Sequence, residues 1–184
     1  MKPRAHDPLR LDVAAFAAEG AMLEGRWAGA ELPRLAESTT PPQDTPPAEV
    51  AWRAQGRRVP VTGGEPELWL RIAAQVPVWL TCQRCLRPFE MPVEIDRQLR
   101  FVRDEAEAEV LDAELDDDVL ALPRALDLRE LVEDELLLAL PLVPRHETCP
   151  APLSHSSGQF DEPAAPEREN PFAALQGLKT RRGP

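Results

Sequence analysis

Between Val50 and Phe101 the chain alternates apolar and polar residues for three long stretches, and this period of two commits it to half-buried β-strands. Val50, Trp52 and Ala54 alternate with Ala51, Arg53 and Gln55. Leu68, Leu70, Ile72, Ala74, Val76, Val78 and Leu80 form one face of a second strand, opposite Glu67, Trp69, Arg71 and Gln75. Val93, Ile95, Leu99 and Phe101 line a third, against Glu94, Asp96, Gln98 and Arg100. Gly63-Gly64, within Thr62 to Glu65, supplies the first turn. Pro77 has no N–H to give a ladder, so it predicts a sheet edge or a bulge.

A sheet apolar on one face needs a cover. The strongest helix signal opens at Asp127, with Leu128, Leu131, Val132, Glu135 and Leu138 at helical spacing and Pro141 as the stop. Asp127 is the expected N-cap, and Glu130 stands three residues on, as in a capping box. Upstream, Asp12 before Val13 to Ala18, with Gly20 after it, predicts a short capped helix. Met22 to Trp27 reads as a strand and Glu31 to Glu37 as a second short helix. The expected fold class is therefore α+β, an antiparallel sheet or partly open barrel with a C-terminal packing helix. The expected organisation is an N-terminal arm (1–37), a Pro-rich linker or loop (38–47) and an α+β core (48–147). A Pro-, Ser- and Glu-rich tail (148–184), expected to be largely disordered, carries an apolar motif at 170–179.

The 184 residues carry a formal charge of -11, which excludes a uniformly basic nucleic-acid coat. The acidity is local: Asp104 to Asp118 holds nine acids and no base. That block lacks the spaced D-x-D-x-D-G loop of a calcium site, and a solvated, flexible loop is the expected form. Its sharper reading, centred on Asp116, Asp117 and Asp118, is a counter-charge surface for a basic partner such as a ribosomal protein. Met1 to Leu11 has no apolar h-region, and the longest apolar run, Leu136 to Val143, is too short to span a bilayer. Three cysteines form no disulfide framework. A reducing, cytoplasmic setting without membrane attachment is expected.

Cys82-Gln83-Arg84-Cys85 stands between the second and third strands, where a C-x-x-C turn can give two thiolates to a tetrahedral zinc. His146 and Cys149, three residues apart, are the candidates for the other half of a structural zinc site. The plain alternative is that Cys82 and Cys85 are small, partly buried turn residues. A thioredoxin-like role needs the pair to open a helix, whereas Pro88 and a strand-like run follow here. Arg84, Arg87, Arg97, Arg100 and Arg103, with Trp69, Trp79 and Phe89, suggest a basic and aromatic surface for structured RNA. Ordinary strand edges, with Arg stems over apolar rings, give the same pattern. With three His and no G-x-S-x-G, P-loop or G-x-G-x-x-G, the chain reads as non-enzymatic, with no small-molecule substrate. The competing class is a small zinc- or thiol-dependent enzyme using the Cys82/Cys85 and His146/Cys149 pairs.

Three segments in one order carry a resemblance: C-Q-R-C-L-R-P-F-E (Cys82 to Glu90), D-L-R-E-L-V-E-D-E-L-L-L-A-L-P-L-V-P-R-H (Asp127 to His146) and N-P-F-A-A-L-Q-G-L-K (Asn170 to Lys179). Together they resemble the YceD-like family, the large ribosomal RNA subunit accumulation proteins. The resemblance implies a binding factor in ribosome biogenesis, supporting synthesis, processing or stability of large-subunit (23S) ribosomal RNA, in a family with no established catalytic activity. The implied partner is precursor ribosomal RNA or a basic ribosomal protein. Some relatives carry further cysteines after the helix, like the remaining ligands of a zinc ribbon, where this chain has His146 and Cys149. Phe172, Leu175 and Leu178 form an apolar stripe suited to docking on a partner or on the body of the protein, and Lys179, Arg181 and Arg182 follow it.

Overall fold

In the computed structural model, which describes residues 5–115 and 117–150, the alternating stretches become neighbouring strands of one open sheet. The first two are β1 (Met22–Ala28) and β2 (Glu49–Val59). They are followed by β3 (Glu67–Thr81), β4 (Pro88–Val102) and β5 (Asp118–Ala121), and the sheet runs in that order. The first four strands are antiparallel meanders, and β3 and β4 pair along their length, from Leu68↔Phe101 to Thr81↔Pro88. The sheet does not close into a barrel: β1 and β5 are its two edges. Pro77 lies beyond the β2–β3 ladder, whose register stops at Ala51↔Gln75. Its missing N–H therefore costs no ladder bond on that side.

Helices cover the apolar face. α1 (Val13–Glu19) lies on β2 and β3, with Asp12 accepting from the Ala15 N–H and Gly20 ending it in the left-handed region. α4 (Leu128–Ala139) lies across β3 and β4. Its N-cap is Asp127, which accepts from Arg129 and Glu130 N–H groups. The buried stripe is Leu128, Val132 and Leu136, a spacing of four, each with no exposed surface. Burial of each such side chain is worth about 1.5–3 kcal/mol. Leu138, expected on that stripe, is 73% exposed, and Glu135 turns toward Arg97 of β4 at 2.9 Å. α2 (Pro33–Glu37) packs against α4 through a buried carboxylate. Glu133, 5% exposed, accepts from the Leu35 N–H at 3.0 Å and from Arg34 Nε at 3.1 Å.

The acidic block is not the expected flexible loop. Asp104 caps a ten-residue helix, α3 (Glu105–Glu114), by accepting from the Glu107 N–H. Ala108 of this helix buries against Val102 and Val119. Alternate alanines supply helix propensity and one apolar contact, which together outweigh the charge repulsion. The helix carries the chain over to β5, which pairs with β4 in parallel, so the sheet is antiparallel only through β4. Among the described residues no helix is long and apolar enough to cross a membrane.

Close packing of α1 on β2 depends on Gly56. A Cβ built there meets the Phe16 backbone carbonyl carbon and oxygen at 2.7 Å. Gly56→Ala is expected to cost about 2 kcal/mol of unfolding free energy, seen as a lower urea midpoint at unchanged slope. An unchanged midpoint would contradict the packing described.

Candidate functional site

The tip of the β3–β4 hairpin is a tight turn. The Cys82 N–H donates to the Arg87 carbonyl at 3.0 Å, and the Leu86 N–H donates to the Cys82 carbonyl at 2.8 Å. Leu86 closes the turn at φ +57°, in the left-handed region. After Leu140 ends α4, the chain reaches this tip, where the Gln83 N–H donates to the Pro144 carbonyl at 2.8 Å. That return brings His146 and Cys149 to Cys82 and Cys85. The four potential ligand atoms lie within 4.8 Å of one another. Cys82 Sγ is 3.8 Å from Cys149 Sγ, and Cys85 Sγ is 3.4 Å from His146 Nδ1. The Phe89 ring packs on the imidazole at a centroid distance of 4.8 Å, fixing its tilt.

Hydrogen bonds shape the electrostatics here. Burial acts to raise the Cys82 thiol, but the His146 and Cys85 N–H groups, the imidazole and the Arg84 N–H outweigh it and bring it to about 5. Burial pushes Cys85 up, assisted by the neighbouring sulfurs of Cys149 and Cys82. Arg84 donates from Nε to Cys149 Sγ at 3.0 Å and from Nη2 to the His146 carbonyl at 3.1 Å. The set is therefore one imidazole and three sulfurs beside a guanidinium, able to hold a soft cation. Cys82 and Cys85 sit on a hairpin tip and not at a helix N-terminus, so the dipole that activates thioredoxin-type thiols is missing.

The arginines grouped as an RNA surface are dispersed. Arg84 is committed to the sulfur cluster. Arg97 shares the helix-covered side of β4 with Ile95 and Leu99 and pairs with Glu135, while Arg100 points to the opposite face and pairs with Glu67 at 3.1 Å. Arg87 is exposed at the tip. Asp117 and Asp118 are exposed at the start of β5. Asp116, Phe172, Leu175 and Leu178 lie outside the described residues. Sequence reasoning missed Glu133 and its partner Arg34, which stand 99 positions apart and give no local signal.

Leu86 is a branched side chain, 73% exposed, in a conformation that suits glycine. Leu86→Gly is expected to raise stability by about 1 kcal/mol, read from the urea midpoint. A loss of stability would show that the leucine side chain contributes more than the strain removes.

Comparison with known proteins gives this hairpin, helix and tail a common setting. The family model for "Large ribosomal RNA subunit accumulation protein YceD" matches residues 70–179. A Haemophilus influenzae protein described as "Large ribosomal RNA subunit accumulation protein YceD" is 30% identical over 175 residues, covering 94% of this chain and 95% of its own length. No solved structure matches the chain. The matched span takes in β3, β4 and α4 together with Cys82, Cys85, His146 and Cys149, and the chain belongs to the YceD family, implicated in large-subunit ribosomal RNA accumulation.

Proposed function

We propose that the protein is a non-enzymatic large-subunit assembly factor that docks on a basic ribosomal protein through the acid-rich edge formed by α3 and β5. One observation carries this reading: among the described residues, five of the seven arginines on the strands, all but Arg57 and Arg58, pair with the protein's own acids, whereas at this edge only Asp104 and Glu107 are paired, both with Arg103. Arg26 pairs with Glu49 at 2.9 Å and Arg53 with Glu24 at 3.2 Å. Arg71 pairs with Asp96, Arg97 with Glu135 and Arg100 with Glu67. Phosphate recognition needs guanidinium groups free to exchange counterions, and these are already engaged. Glu105, Glu109, Asp112, Glu114, Asp117 and Asp118 are exposed. None of these six has an ion-pair partner among the described residues.

The edge also offers contact area and backbone. β5 is an edge strand, so one side of it has no neighbouring strand in the sheet. Val110, Leu115 and Leu120 are exposed among the acids, at 57%, 38% and 37%. A basic segment in extended form can pair with such an edge while its Lys and Arg side chains meet the flanking carboxylates.

Two variants separate protein contact from RNA contact. Neutralising Glu109, Asp112, Asp117 and Asp118 to their amides is expected to weaken association with large-subunit proteins about 10-fold at low salt. The same variant should lower large-subunit ribosomal RNA accumulation in cells. Arg57→Ala with Arg58→Ala and Arg87→Ala, which removes exposed arginines that have no ion pair among the described residues, should leave both nearly unchanged. The opposite pattern, with the arginine variant losing the RNA and the acid variant keeping its partner, would establish direct RNA contact and overturn the proposal.

A further inference from the structure

We propose that Cys82, Cys85, His146 and Cys149 form a structural zinc site that fastens the segment following α4 to the tip of the β3–β4 hairpin. A tetrahedral zinc with Zn–S bonds of about 2.3 Å and Zn–N of about 2.0–2.1 Å requires S···S edges near 3.8 Å and S···N edges near 3.5 Å. The Cys82–Cys149 separation of 3.8 Å and the Cys85–His146 separation of 3.4 Å meet that requirement across two opposite edges. All four atoms fall inside the 4.8 Å sphere of mutual distances, and each half of the set comes from a different part of the chain.

The surroundings suit bound thiolates better than free thiols. Cys82 has no exposed surface, and its sulfur accepts from the His146 N–H at 3.5 Å. The turn in which Leu86 donates back to the Cys82 carbonyl aims both Cys82 and Cys85 inward. Three thiolates on a divalent cation leave one net negative charge, and the Arg84 guanidinium, 3.0 Å from Cys149 Sγ, answers it. Phe89 holds the imidazole against rotation. No exchangeable position is left over: four protein ligands complete the coordination, so the site is structural and does not activate water.

The role follows from position. Cys82 and Cys149 are 67 positions apart, so the metal closes a long loop that contains β4, α3, β5 and α4. It fixes the residues that follow α4, from Pro144 to Cys149, on the hairpin tip.

The test uses the full chain purified under reducing conditions without chelator. Elemental analysis should give one zinc per chain, and the apoprotein titrated with Co²⁺ should show the intense visible bands of tetrahedral, sulfur-rich cobalt. Cys149→Ser and His146→Ala, both downstream of the sheet and α4, should lose stoichiometric zinc while keeping the circular dichroism of the fold. Arg84→Gln should keep the metal with about 10-fold weaker affinity. Three results would each overturn the site: no stoichiometric metal after titration with excess Zn²⁺, a Cys82–Cys149 disulfide in place of metal, or zinc retained in Cys149→Ser.

Discussion

The long β3–β4 hairpin has one apolar face, and the need to cover that face organises everything around it. Ile72, Leu70 and Leu99 are buried only because α1 and α4 lie over them. Covering the sheet with α4 sets the direction in which the chain leaves the helix. Pro141 ends the helix, and the Gln83–Pro144 hydrogen bond guides the following segment to the hairpin tip. The sulfur cluster is thus a consequence of core packing: hydrophobic burial places α4, and α4 places His146 and Cys149. The Glu133–Arg34 contact acts from the opposite direction, holding α2 to the same helix.

Charge is arranged on a second principle. On the sheet, acids and arginines sit across from one another on neighbouring strands or helices, and the pairs cancel at short range. Such exposed pairs add little stability, since solvent screens them. Their effect is to leave only Arg57 and Arg58 of the strand arginines without an ion pair among the described residues, so most of the net charge is expressed at α3 and β5. An acidic edge next to an unpaired strand favours a basic polypeptide over a polyanion. On the docking proposed above, the family link to large-subunit ribosomal RNA accumulation would be an effect exerted through a ribosomal protein.

Much of this was legible in the sequence because the strands obey a strict period of two and the helices carry strong caps. Asp12, Gly20, Asp127 and Pro141 mark element ends that the structure keeps. The same parity, applied to Arg97 and Arg100, would have separated them onto opposite faces; grouping them by proximity in sequence lost that information. α3 was hidden because its acids suggested solvation, while its evidence was a single cap at Asp104 and one buried alanine. β5, four residues long and parallel, has no alternation long enough to detect. Cys82-x-x-Cys85 and His146-x-x-Cys149 were visible as halves, but only the path of the chain after α4 brings them within ligand distance.

The proposed contact of α3 and β5 with the large subunit is tested most directly by photocrosslinking in growing cells. A crosslinking residue placed at Asp117 is expected to capture a basic ribosomal protein, while one placed at Arg87 captures little. Ribosomal RNA crosslinked from Arg87, with nothing captured from Asp117, would contradict the account.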